Sequence, residues 1–336
     1  MHVSGSDTHP RGVRVVVRYR LPAPDPASGA RHTDVVGQLI DAGPDAIIVA
    51  ADRRRVSIPR AAVVATRVIP PRPSRRGAPH RALSVEDLER VMVGAWPPSE
   101  QEPLGEWVLR AGAGFTARAN SALVVGHPDR PLPAALEEVE QWYAARHLLP
   151  VLALPMAPGQ QLTDDAVAVE ASRTGWSTDD PVLVLTGATR VVVAAAQRTA
   201  PGPHNGIEVE TADRISEDWF TTYARSRTAV RHHVQAVLEG SPAQWFAVAR
   251  SGSSVLGVGR VGINAGWAGI GAMWVEPQAR SQGIGTAVLQ ALLERALEHG
   301  CVSTHLQVES ANTAAVGLYR RLGFTDHHAY VYLRRR

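Results

Sequence analysis

Met273-Trp274-Val275-Glu276-Pro277-Gln278-Ala279-Arg280-Ser281-Gln282-Gly283-Ile284-Gly285-Thr286 runs out of an apolar strand, turns at Pro277 and opens a helix that continues to His299. The first turn of a helix has backbone N–H groups without partners and a partial positive charge of about +0.5, so anions settle there. Gly283 and Gly285 remove side chains where a phosphate oxygen would approach the backbone, while Arg280 and Gln282 add charge and donors around a pyrophosphate. A bare Gly-x-Gly before a helix also arises for steric reasons alone. What lies downstream sharpens the reading. Leu306-Gln307-Val308-Glu309-Ser310-Ala311-Asn312 reads as a strand ending in a polar turn, and Thr313–Leu322 as a helix leading into Gly323-Phe324. Tyr319 follows Asn312 by seven residues, two helical turns, which puts both on one face.

Around this pair of segments the pattern is α/β. Ser216-Glu217-Asp218 starts helical segments within Asp213–Leu238, and Trp245–Arg250, Ser254–Ile263 and Trp267–Val275 read as strands. Val302–Glu309 and Ala329–Arg334 are further strands. The central region shows a similar order. A capped helix begins at Ser84, Gly105–Arg110 and Phe115–Val125 read as strands, Pro133–Arg146 as a helix, Val151–Leu154 as a strand, Asp164–Thr174 as a helix and Pro181–Leu185 as a strand. We read this as an internal repeat, with Trp107–Leu123 corresponding to Trp245–Val261. In the central copy the phosphate turn falls at Gly126–Pro133, where three prolines remove N–H groups that an anion needs. That copy is therefore read as degenerate. The expected layout is a β-barrel over residues 1–70, a Pro/Arg linker over 71–82, a degenerate domain over 83–200 and the active domain over 201–336. The barrel rests on five short β-rich runs between Val13 and Ile69, which resemble SH3-like or Tudor-like barrels. Tyr19 is the only aromatic residue in that stretch, too few for a methyl-lysine cage.

The 336 residues are 45% apolar and 20% charged, with a net charge of +3, values that argue for globular domains and give no separate argument for nucleic acid. All 35 basic residues are Arg, which limits self-acetylation to the N-terminus. Cys301 is the single cysteine, so an internal disulfide is impossible, and no His-x-x-x-His type of spacing suggests a metal. Met1–Arg11 is polar and no run of about eighteen apolar residues occurs, so a cytoplasmic protein without membrane association is expected.

At Val275, Pro277, Arg280, Gly283 and Gly285, and again at Asn312, Tyr319 and Gly323-Phe324, the chain resembles the GCN5-related N-acetyltransferase (GNAT) family. The resemblance covers the last 130 residues or so. It implies an α/β (α+β) fold in which the strand through Trp274 splays from the strand through Val308, preceded here by a degenerate GNAT-like half and the small barrel. It implies acetyl-CoA as co-substrate, with Met273, Trp274 and Val275 along the pantetheine arm and Arg280, Ser281, Gln282, Gly283, Ile284, Gly285 and Thr286 around the pyrophosphate. Asn312 and Tyr319 complete the donor site, and the Tyr319 hydroxyl would protonate the departing thiolate. The base is left open. Glu309 and Glu276 are candidates, solvent is a third, and the position held by a Glu in some relatives is Gln307. His232 and His233 either meet substrate or are solvated, and Trp267 either packs or floors an acceptor pocket. The acceptor is an amine on a protein or a small molecule, and similarity to actinobacterial acetyltransferases with a Tudor-like barrel adds a basic nucleoid protein. The chain is expected as a monomer or homodimer. The reading from another class is a CoA-binding sensor or interaction module.

Overall fold

The computed structural model describes residues 13–24, 29–51, 54–68, 78–200, 206–225 and 230–335. Met1–Arg11 and most of the expected linker lie outside the described residues. Two compact units divide at Arg72/Pro73.

In the first unit, strands β1 (Arg14–Arg20), β2 (His32–Ala42), β3 (Ala46–Ala51), β4 (Arg54–Pro59) and β5 (Val63–Val68) pair antiparallel in the order β4-β3-β2-β1-β5. The period-2 alternation of β1 sends Val15 and Val17 inward, where they meet Leu39, Val49 and Ile58. This is the small five-stranded β-domain expected from the sequence.

The second unit begins with α1 (Val85–Ala95), whose Ser84 side chain accepts the Asp87 N–H at 3.1 Å as an N-cap. Next come β6 (Glu100–Leu104), β7 (Trp107–Ala111), β8 (Ala122–Leu123), α2 (Leu132–Ala144), β9 (Val151–Met156), α3 (Ala166–Arg173), β10 (Trp176–Thr178), β11 (Val182–Ala188) and α4 (Thr189–Thr199). The rest of the chain forms β12 (Glu208–Ala212), α5 (Glu217–Ala224), α6 (Arg231–Leu238), β13 (Ala243–Ser251), β14 (Ser254–Asn264), β15 (Trp267–Val275), α7 (Ile284–Glu298), β16 (Ser303–Glu309), α8 (Thr313–Arg321) and β17 (Thr325–Arg335). The strands of the second unit belong to one mixed twelve-stranded sheet, ordered β12-β13-β14-β15-β16-β11-β17-β9-β8-β7-β6, with β10 on β17.

That order shows how the two copies interlock. β11 comes from the central copy, yet it lies between β16 and β17 and pairs antiparallel with both. β17, the last strand of the chain, pairs in turn with β9 and β10 of the central copy. α4 follows β11 across, so Val192, Val193, Ala195 and Ala196 join the core under α7 and α8. Residues 83–200 and 201–336 thus share a continuous sheet.

The central copy also differs in detail from the sequence reading. The strand expected at Phe115–Val125 shrinks to Ala122–Leu123. The Asn120 carboxamide accepts from the N–H groups of Gly112 and Gly114 and donates to the carbonyls of Phe115 and Thr116, which holds 112–116 in a closed loop. β6, rich in Glu and holding a Pro, carries no apolar alternation, so its strand was not legible. Because of it, the three-strand meander before α2 is β6-β7-β8, and Trp107–Ala111 corresponds to the middle strand β14 rather than to β13. α1 covers one face of the sheet through Leu88, Val91 and Met92, against Trp267, Val182, Val184, Tyr330 and Tyr332. The other face is covered by α4, α7 and α8 against Ile270, Leu306 and Val308.

Candidate functional site

β15 and β16 run parallel, and their register begins at Trp267↔Ser303 and stops at Ile270↔Leu306. Beyond that point Gly271–Val275 and Gln307–Glu309 no longer pair with each other. The cause is local. In β15 the residues Ala272 and Met273 together face Gly259 of β14, a β-bulge, and Ala272 sits at φ 51, a left-handed conformation that a non-glycine residue adopts at a cost of about 1 kcal/mol or more. The Gly259 carbonyl accepts the Trp219 indole N–H at 2.8 Å, with Trp219 fully buried. The bulge bends β15 away from β16 and opens a wedge in the sheet.

The turn that follows β15 places the N-terminus of α7 at the mouth of this wedge. Gly283 caps the helix at φ 81, where a side chain would be strained, and Ser281 stands at φ 62. The first intrahelical bond is from Ala287 N–H to the Gly283 carbonyl. Ile284, Gly285 and Thr286 therefore keep unpaired N–H groups, and Gly285 presents no side chain to restrict approach. Arg280 spans the turn, donating from Nε to the Val275 carbonyl at 3.2 Å with its guanidinium 5.0 Å from the Trp274 ring. Gln282 donates to the Gln278 carbonyl. Ile284 is anchored in the core, which fixes the helix start.

Asn312 caps α8, its side chain accepting the Ala315 N–H at 3.2 Å. Tyr319 is buried on the α7–α8 face beside Val308, edge-on to Phe324 at 5.7 Å, and burial pushes its hydroxyl up to about 12. Its hydroxyl has no protein partner among the described residues. Glu309 ends β16, exposed to solvent. Glu276 is instead buried and bonded to Arg225 at 2.6 Å, so of the two carboxylates only Glu309 is free of an ion pair among the described residues. His232 is exposed on α6 and meets His233 edge-on at 4.0 Å. Trp267 is packed under α1. A cavity of about 580 Å³ lined by residues 156–163, Leu183, His327, His328 and Val331 includes none of Met273–Thr286, Asn312 and Tyr319.

The opposite, α1 face of the wedge carries Gln307, noted in the sequence, together with further polar groups. Gln307 accepts the Tyr330 hydroxyl at 3.1 Å, and His328 bonds Glu89 at 2.8 Å. His305 is buried with both ring nitrogens unpartnered, and burial together with Arg118 and His328 lowers it to about 3. Glu89 and His305 escaped notice because α1, the turn Ala117–Ala119 and β17 meet only in the folded chain.

A splayed parallel pair, a bulge and an anion-ready helix start form one arrangement, and comparison with known proteins names it. A family model described as "Probable histone acetyltransferase Rv0428c C-terminal" matches residues 83–333. The chain belongs to that acetyltransferase family. A second model, "Rv0428c N-terminal Sm-like domain", matches residues 9–67, so the barrel expected as SH3- or Tudor-like is of the Sm-like kind. The probable histone acetyltransferase Rv0428c of Mycobacterium tuberculosis is 27% identical over 96% of this chain and 94% of its own. Among solved structures, a GCN5-related N-acetyltransferase from Kribbella flavida aligns with a TM-score of 0.56 at 15% identity, over 74% of this chain and 95% of that one. A tandem GNAT protein from the clavulanic acid biosynthesis pathway aligns with a TM-score of 0.53 at 16% identity, over 77% and 89%. The acetyltransferase therefore has a tandem GNAT fold, and GNAT acetyltransferases use acetyl-CoA. Among the described residues no group of His, Cys, Asp and Glu could hold a metal, and no helix is long and apolar enough to cross a membrane.

Proposed function

We propose that the enzyme transfers the acetyl group of acetyl-CoA to a primary amine by direct attack within a ternary complex. The observation that carries this reading is the parting of β15 from β16 after Ile270 and Leu306, directly above the unpaired N–H groups of Ile284, Gly285 and Thr286. Those N–H groups, with Ser281, Gln282, Gly283 and the Arg280 side chain, hold the pyrophosphate. Met273, Trp274 and Val275 offer an unpaired strand edge to the pantetheine amides, and Asn312 ends the opposite wall. The neutral amine attacks the thioester carbon, its oxygen is polarised by backbone N–H at the bulge, and the Tyr319 hydroxyl gives its proton to the thiolate. Solvent, reached past Glu309, takes the proton of the amine.

Residues 83–200 act as a copy without a CoA site that completes the acceptor wall and donates β11 to the sheet beside β16. The acceptor is a protein or small-molecule amine, and the relative named a probable histone acetyltransferase adds basic chromosomal proteins. Titration calorimetry with acetyl-CoA and a thiol-release assay over an amine panel, on the native enzyme and Tyr319→Phe, test the reading. We expect one acetyl-CoA per chain and turnover that Tyr319→Phe depresses. Binding without thiol release from any amine supports the sensor reading instead.

A further inference from the structure

Arg118 lies in the central copy, in the turn Ala117–Ala119, and reaches the wedge of the other copy. Its guanidinium carbon is 4.8 Å from the centre of the Trp96 ring. Its Nη1 lies 3.6 Å from where a Cβ on Gly271 would stand, and Gly271 is the first residue of β15 past the last pair with β16. Trp96 leaves no room for a side chain at Gly271, so the approach depends on glycine. Arg118 therefore flanks the throat of the wedge on the face opposite Tyr319.

Among the described residues Arg118 has no hydrogen bond and no carboxylate. The contrast with its neighbours is sharp. Arg110 donates to the Ser121 carbonyl and hydroxyl, and Arg260 to the carbonyls of Leu238 and Ala95 and to the Ser241 hydroxyl. A half-buried guanidinium offers five donors in a planar fork, and leaving them unmet beside an aromatic wall is unfavourable. Other polar groups around the same stretch of β15 are also unmet. The buried Trp274 indole N–H and both nitrogens of His305 have no partner, and the His305 ring lies 2.7 Å from a Cβ placed on Gly269.

Charge selects the ligand. Of the carboxylates around the wedge, Glu89 is engaged with His328 and Glu276 with Arg225, while Glu309 ends β16 in solvent. Arg260 is fully buried among neutral oxygens, and burial and Arg118 pull it down to about 9, still a cation at neutral pH. His305 is neutral there. The throat thus has a positive potential with one accessible fork, which repels a lysine-rich segment and attracts a single planar negative charge.

We propose that the acceptor is a small amine that carries a carboxylate within a few bonds of its nitrogen, an amino-acid-type molecule whose carboxylate is held by Arg118. This rests on the acetyl-transfer reading above. Arg118 acts as a specificity residue: it holds the carboxylate while the amine points into the wedge.

Thiol release from acetyl-CoA is measured with L-α-amino acids, their carboxamides and a lysine-rich peptide, on the full chain and on Arg118→Ala and Arg118→Lys. At least one acid is expected to exceed its amide by about tenfold or more in kcat/KM, the scale of a charged hydrogen bond. Arg118→Ala should erase that preference while leaving the rate on the amide and the KM for acetyl-CoA unchanged, and Arg118→Lys should restore part of it. Equal use of acid and amide, an equal loss on both in Arg118→Ala, or preference for the peptide overturns the proposal. If acetyl-CoA binds but no amine releases thiol, the acetyl-transfer reading fails separately, and Arg118 is judged by calorimetry with the amino acids in the presence of CoA. Binding to the native chain that Arg118→Ala abolishes upholds the carboxylate site, and absence of binding overturns it.

Discussion

The chain contains two helices in corresponding places, each following a parallel-paired strand, and only one starts with its N–H groups open. α7 starts at Gly283, in a left-handed conformation, with a side-chain-free Gly285 next to it and open N–H groups. α2 starts at Pro131, with a second proline in its first turn. The turn before α2 is also filled by its own acid: the Glu106 carboxylate accepts the His127 N–H at 2.8 Å, and it would lie 2.2 Å from a Cβ on Gly126. A carboxylate there satisfies the donor and repels a phosphate. The strand before α2 differs as well. β8 has two residues and no bulge, whereas β15 has nine and bends at Ala272. One fold made twice in a chain leaves its backbone donors free and its sheet open in only one of the two copies.

The largest effect on this contrast should come from Gly283→Val. A β-branched residue at that conformation adds about 1–3 kcal/mol of strain and projects a side chain toward the phosphates, and we expect calorimetry to find acetyl-CoA binding weakened at least 100-fold. Gly283→Asn, which tolerates the left-handed region, should retain far more of it. Tyr319→Phe should follow, lowering kcat by about 100-fold, the scale of general acid catalysis, with the acetyl-CoA affinity nearly unchanged. Because burial pushes Tyr319 up to about 12, the hydroxyl keeps its proton through the neutral and mildly alkaline range. The native pH–rate profile should therefore rise as the acceptor amine loses its proton, with no fall traceable to Tyr319 until close to pH 12.

Asn312→Ala should be milder. It removes the cap of α8, worth about 1 kcal/mol, and a melting curve should move down by roughly 2–4 °C for a unit of this size. A larger rise in KM for acetyl-CoA than this loss explains would point to direct contact with the donor. The smallest effect is expected on the silent side, from Glu106→Gln. Titration should still find one acetyl-CoA per chain with the same affinity, and a second site appearing would show that the acid alone had closed the central copy.

Legibility followed the range of the causes. The elements of the proposed donor site were readable because they are contiguous: a strand, a glycine turn and a helix start within Met273–Thr286, then Asn312 and Tyr319 two turns apart at one helix. Helices with strong caps, such as the one begun by Ser84, were equally plain. β6 was not, since a Glu-rich edge strand holding a Pro lacks the apolar alternation that marks a strand. The short β8 was overdrawn, because no pattern reveals that Asn120 will bind four backbone groups of the preceding loop. The face proposed for the acceptor was least visible, for Arg118, His305 and Gly271 come from separate elements and none belongs to a recurring motif.

What the sequence determined by itself was local: glycine where the backbone is left-handed, capping residues at helix starts, prolines at the start of α2, and through these the family. Only the tertiary structure decided that β11 enters the other copy, that β17 joins both, and that Arg118 from one half faces the wedge of the other. Those outcomes depend on which faces must be buried together and where charge is left unpaired, and such balances exist only once distant segments are packed.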